Sequence, residues 1–106
     1  NAMTTFDDRK SAFEAKFAHD AEITFRLEAR RNKLLGLWAA DLMGLSGEEA
    51  KAYAMEVVKS DFEEAGHEDV VRKVMKDLGD KAAEADLRTK MVELLSVAKV
   101  QLMDES

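Results

Sequence analysis

The chain contains no cysteine and no proline among its 106 residues, and only five glycines. Without cysteine there are no disulfides, no thiolate metal sites and no Cys-His nucleophile pair, so stability must come from packing alone, as suits a reducing compartment. Without proline nothing forces a break in a helix. The glycines are scattered, and none falls in a G-x-x-x-x-G-K-[ST] or G-x-G-x-x-G array that would cradle a phosphate. No run approaches the roughly 18 apolar residues of a membrane span, and no signal-peptide h-region follows Met3. A cytoplasmic protein with no direct membrane insertion is expected. Positive charge is also short: 16 Lys+Arg stand against 22 Asp+Glu, a net charge of −6. Up to Leu45 the signs balance at seven each, and from Ser46 onward nine basic residues face fifteen acidic ones. An acidic body repels phosphate backbones, which argues against nucleic-acid binding.

What is present is 46% hydrophobic and 36% charged residues, the composition of amphipathic helices around one core. Asn1 and Ala2, ahead of Met3, are expected to be the remnant of an expression tag. Ile23, Leu27, Leu34, Trp38, Leu42 and Leu45 fall within an arc of about 100°, the width of a core-facing stripe. That helix is predicted to end at Gly44 to Gly47, and Ser46-Gly47-Glu48-Glu49 reads as a capping box opening the next. Ala50, Tyr53, Ala54, Val57, Val58 and Phe62 carry the second helix, with Gly66 as its stop. A third starts at His67, Glu68 and Asp69, presents Val70, Val71, Val74, Met75 and Leu78, and closes at Gly79. After a connector from Asp80 to Glu84, Leu87, Met91, Leu94, Leu95, Ala98 and Leu102 make a fourth. The fold class is therefore all-α, a four-helix bundle, with Leu34, Trp38, Leu42, Tyr53, Val57, Val74, Leu87, Met91, Leu94 and Leu95 predicted to share its core. Gly36, inside the first helix, points to a close approach by a neighbouring helix.

The region before Asp20 differs. Phe6, Phe13 and Phe17 project within about 40° of one another on a helix and are rotated about 60° from the stripe that follows. Such a terminal stripe either inserts into a groove of a partner or extends the first helix and packs or frays. The basic cluster Arg26, Arg30, Arg31 and Lys33 similarly reads either as a contact for an acidic partner or as a solvated face.

No catalytic constellation is legible. His67-Glu68 lacks the second histidine of a zincin, and no G-x-S-x-G elbow occurs. Glu64-Ala65-Gly66-His67 matches E-x-x-H once, where a di-iron bundle needs two such motifs and two further carboxylates. Glu64 is read as a solvated helix-end charge and His67 as a cap-region residue; no metal, cofactor or catalytic residue is expected. His19 has the chemistry of a pH-sensitive group, against the plainer reading of an exposed histidine. The adjacent pairs Asp7-Asp8, Glu48-Glu49 and Glu63-Glu64 point about 100° apart on a helix, as surface charges do rather than acid/base pairs.

Three separated runs carry a resemblance. Glu28-Ala29-Arg30-Arg31-Asn32-Lys33-Leu34-Leu35-Gly36-Leu37-Trp38-Ala39-Ala40 is similar to the signature of the zeta inhibitor family of alphaproteobacterial F-type ATP synthases. Met3-Thr4-Thr5-Phe6-Asp7-Asp8-Arg9 with Phe13-Glu14-Ala15-Lys16-Phe17-Ala18-His19-Asp20 resembles that family's inhibitory segment. Glu68-Asp69-Val70, Arg72-Lys73-Val74 and Lys90-Met91-Val92-Glu93-Leu94-Leu95 resemble its third and fourth helices. Ala65-Gly66-His67 departs from the proline-containing turn of the pattern, and Ala83 and Ala85 from the polar start of its last helix.

The resemblance implies a helical bundle, residues 21–106, bearing a mobile or loosely attached N-terminal inhibitory segment, residues 3–20. It implies a non-catalytic regulator that blocks ATP hydrolysis by inserting that segment at a catalytic interface of the ATP synthase head, formed by alpha, beta and gamma subunits. The protein would thereby associate with the cytoplasmic face of the inner membrane. Phe6, Phe13 and Phe17 would supply the apolar face of the segment, and Arg9, Lys10 and Lys16 the flanking charges. The alternative is a helical adaptor docking an acidic partner through its Arg26 to Lys33 face.

Overall fold

The computed structural model describes the backbone of residues 2–63 and 65–105, and side chains from residue 19 onward within that range. Four helices follow in order: α1 (Ala2–Leu42), α2 (Gly47–Ser60), α3 (Glu68–Leu78) and α4 (Glu84–Glu105). Among the described residues there is no strand, and no helix is long and apolar enough to cross a membrane. The molecule measures 65 × 27 × 22 Å. Its length follows from α1, whose 41 residues span about 60 Å at the rise of an α-helix.

α1 continues unbroken through His19 and Asp20, across the point where the phenylalanine stripe gives way to the rotated stripe that follows. Residues 19–26 are all exposed and add no member to the buried core, touching the bundle only at its surface, where Ile23 meets α4 and Phe25 meets Phe62. The core begins further on. Leu35, Ala39, Ala40, Tyr53, Val57, Val70, Val71, Val74, Leu78, Leu87 and Met91 form one buried cluster, with Trp38 and Leu94 packed against it. Tyr53, Val57, Val74, Leu87 and Met91 are buried as their spacing predicts. Leu34 and Leu95 are only half-buried, and Leu42 and Ile23 remain exposed at 39% and 42%.

The reason is the size of the residues on α1. Its large apolar stripe faces α4: Leu27 and Ile23 share a groove with Leu102 and Met103, Arg30 bonds Gln101, and Lys90 lies 6.0 Å over the Trp38 ring. The face buried most completely is rotated by about 145° and carries Asn32, Leu35, Gly36, Ala39 and Ala40. There α2 approaches so closely that a Cβ on Gly36 would lie 2.6 Å from Ala54 Cα and 3.2 Å from Val57 Cγ2. Because the nearest atom is backbone, the helices must move apart to admit a methyl group. Gly36→Ala is therefore expected to lower stability by about 2 kcal/mol in chemical denaturation, overpacking outweighing the gain of about 1 kcal/mol in helix propensity. An unchanged or raised stability would mean that α1 and α2 pack more loosely than this.

Turn chemistry places the remaining elements. Gly44, at φ 79°, lets the chain leave α1 in a left-handed conformation. Ser46 stands at the N-cap of α2 but makes no side-chain cap bond, so the expected capping box does not close. α2 stops at Ser60, with Asp61 as its C-cap, about one and a half turns before the predicted stop at Gly66. Phe62 therefore leaves the helical stripe and stacks on Phe25 at the surface, ring centroids 5.6 Å apart. Between α2 and α3, Tyr53 donates a 2.8 Å hydrogen bond to Asp77 Oδ2, which Lys73 also bonds at 3.0 Å. Burial first, then Asp77, pushes the Tyr53 hydroxyl beyond its ordinary range. Burial alone would raise Asp77, but the bonds from Lys73 and Tyr53 win and hold it below the usual carboxylate value.

Candidate functional site

The polar residues that α1 buries lie on one side. Glu28, Arg31 and Asn32, spaced i, i+3 and i+4, share a helix face. That face meets the end of α2 and the start of α3, where Asp61 and His67 stand as the C-cap and N-cap of their helices. The five side chains form one network. Arg31 Nε donates to Asn32 Oδ1 at 3.1 Å, and Asn32 Nδ2 donates to Asp61 Oδ2 at 2.9 Å. His67 Nδ1 lies 3.2 Å from Asp61 Oδ1 and 3.1 Å from Arg31 Nη2, while His67 Nε2 is 3.6 Å from Glu28 Oε1. Arg31 and Asn32 are 5% and 1% exposed. Burial lowers the Arg31 pKa, opposed by the nearby charges of Asp61 and Glu28. Among the described residues no buried side-chain polar atom lacks a partner.

A cavity of about 370 Å³ opens beside this network, lined in part by Glu28, Asp61, His67 and the exposed Phe25–Phe62 pair. The sequence marks His67 as a cap-region residue, and it is the N-cap of α3. Its convergence with Glu28 and Asp61 is not legible in the sequence, because 39 residues separate Glu28 from His67. The available signal is local: three polar residues at helical spacing beside a run as apolar as Leu34-Leu35-Gly36-Leu37-Trp38.

The four cations from Arg26 to Lys33 do not make a single docking face. Arg31 is buried in the network, and Arg30 is committed to Gln101 at 2.9 Å and Glu105 at 2.7 Å. Arg26 lines the groove between α1 and α4, and Lys33 is exposed. His19, also in that groove, is exposed, in line with the plainer of its two readings. Phe6, Arg9, Lys10, Phe13, Lys16 and Phe17, the residues named for partner binding, lie outside the described side chains, as does Glu64.

On α4, Arg88 chelates Glu68 through bonds of 3.1 and 2.8 Å and also holds Glu84 at 3.1 Å, tying the starts of α3 and α4 together. Those bonds raise the Arg88 pKa and lower that of Glu68. The pair is solvated and acts as a geometric tie.

A small helical bundle whose first helix runs on past the core, exposed at residues 19–26, defines a class: a compact helical body with one extended element. A family model, ATPase inhibitor subunit zeta, matches residues 3–101. The chain belongs to the ATPase inhibitor subunit zeta family, and with that membership comes an inhibitory role toward an ATPase. A chain solved in solution by NMR is 63% identical, superposes with a TM-score of 0.75, and covers 79% of this chain and 99% of its own length. No curated protein matches.

Proposed function

We propose that the protein is a non-catalytic regulator that stops ATP hydrolysis by the F-type ATP synthase head through insertion of residues 3–20 at a catalytic interface. The observation that carries this reading is the first helix itself. Residues 19–26 of α1 contribute no residue to the buried core, whose α1 members begin at Arg31 and Asn32, so little of the described core depends on the helix before residue 27. A helix carried past its own core presents its apolar residues to another protein, in the manner of a helix laid into a groove. Phe6, Phe13 and Phe17 supply that apolar face, and Arg9, Lys10 and Lys16 flank it. The partner is the catalytic head of alpha, beta and gamma subunits, and association with it places the protein at the cytoplasmic face of the inner membrane.

Inhibition of this kind is occupation of an interface, with no covalent step. Adding the full chain to the matching ATPase head is expected to suppress ATP hydrolysis to a low plateau, with one chain bound per head. Hydrolysis unchanged at a large excess of the chain would overturn the reading.

A further inference from the structure

We propose that His67 Nε2 and Glu28 Oε1, with Asp61 orienting the imidazole, form a binding site for a divalent transition-metal ion of the Zn²⁺ class. One ligand atom from each of the three residues lies within 4.8 Å of the others. They come from α1, the end of α2 and the start of α3, so an ion bound there would join three elements.

The argument begins at the two nitrogens of His67. Nδ1 is approached by Arg31 Nη2, which can only donate, and by Asp61 Oδ1, which as a carboxylate can only accept. One ring nitrogen satisfies only one of these at a time. When Asp61 is the partner, Nδ1 carries the hydrogen and Nε2, in the neutral ring, is left with its lone pair 3.6 Å from Glu28 Oε1. Two acceptors then face each other across a gap too wide for an N–H···O bond. The same gap suits an ion: metal bonds of about 2.0–2.2 Å to imidazole and carboxylate, at tetrahedral to trigonal angles, separate the two donor atoms by about 3.3–3.6 Å.

The surroundings fit as well. Asp61 holding Nδ1–H while Nε2 ligates is the carboxylate–histidine–metal arrangement that fixes ring orientation. Asn32 Nδ2, bonded to Asp61 Oδ2, in turn orients that carboxylate and leaves Oδ1 turned to the imidazole. Arg31 is the opposing charge. However, its Nε stays anchored on Asn32 when Nη2 gives up Nδ1, and Glu28 and Asp61 together still leave the cluster one negative charge in excess. The adjoining cavity of about 370 Å³ supplies an entry path and room for the waters that complete the coordination. An imidazole nitrogen beside one carboxylate, with Asp61 behind the ring, selects borderline ions over Ca²⁺, which takes six to eight oxygens, and over Mg²⁺, which keeps its waters.

The test is calorimetric titration of the full-length chain with Zn²⁺ near neutral pH, with Mg²⁺ and Ca²⁺ in parallel. One Zn²⁺ per chain is expected at micromolar affinity, with no saturable binding of Mg²⁺ or Ca²⁺. His67→Gln and Glu28→Gln should each weaken binding by about 100-fold or more and Asp61→Asn by at least about tenfold. His19→Gln, which removes the other histidine, should change nothing. Glu28 is half-exposed, so its variant is expected to fold even if that of His67 does not. In the unsubstituted chain, Zn²⁺ should move the His67 ring resonances in NMR spectra and leave those of His19 in place. Absence of saturable Zn²⁺ binding would overturn the proposal, as would binding that survives both His67→Gln and Glu28→Gln or binding that disappears with His19→Gln.

Discussion

Removal of Met3 to Asp20 is expected to abolish inhibition of ATP hydrolysis while moving the thermal midpoint of the remaining bundle by no more than about 4 °C. Both halves of this expectation rest on the same burial pattern. Residues 19–26 are exposed, and the described residues that close the core run from Leu35 through Met91, so the truncation removes none of the described members of the buried cluster. Local contributions to stability follow buried contacts, and chain termini outside a core contribute few. Function is expected to go the other way, because a few aromatic anchors commonly carry most of an interface. Phe13→Ala with Phe17→Ala should therefore weaken inhibition by about 100-fold or more without altering the unfolding curve. Hydrolysis assays and thermal unfolding followed by circular dichroism measure the two arms separately. Full inhibition by the truncated bundle would remove the N-terminal segment from the mechanism; loss of the folded state would show that it belongs to the core.

Leu35→Ala is expected to cost about 3–4 kcal/mol, whereas Leu42→Ala should cost less than about 1 kcal/mol. Leu35 is wholly buried in the central cluster, and its truncation leaves a cavity among residues of other helices that cannot collapse without moving backbone. Leu42 is 39% exposed at the last turn of α1 and leaves little void. Urea denaturation of both variants would compare them. Equal losses would mean that α1 is rotated from the orientation described, since its two leucine-bearing faces would then be buried alike.

The two leucines also mark where hydrophobic periodicity points to the wrong face. Ile23, Leu27, Leu34, Trp38 and Leu42 form the most prominent stripe by side-chain bulk, and bulk is what periodicity weighs. The tightest helix packing uses the opposite quality. Gly36, Ala39 and Ala40 are small, and smallness is what lets the backbone of α2 come up against that of α1. A helix with two neighbours needs two faces, one of large residues toward α4 and one of small residues toward α2, and only the first stands out among the hydrophobic residues. Gly36 is the exception that can be read, because a glycine inside a strong helix calls for a nearby backbone. Phe62 shows a different failure. It continues the spacing of α2, yet the helix ends at Ser60, and the ring finds Phe25 on the surface instead.

The site divides in the same way. That His67 opens the third helix is legible from Glu68 and Asp69 behind it, since acidic residues favour the positive end of a helix. That it meets Glu28 and Asp61 is not, because the meeting depends on the angles at which three helices pack.

What the sequence by itself determined is the list of helices, the left-handed glycine exits at Gly44 and Gly79, much of the core contributed by α2, α3 and α4, and, through three runs of residues, the family. These depend on neighbours within one or two turns, where spacing of 3.6 residues and the freedom of glycine act directly. The tertiary structure alone decided which face of α1 is buried, where the solvated part of that helix gives way to core, and the convergence of Glu28, Arg31, Asn32, Asp61 and His67. Those outcomes are set by how closely two helices can pack and where their ends then fall, and no residue's local environment contains that information.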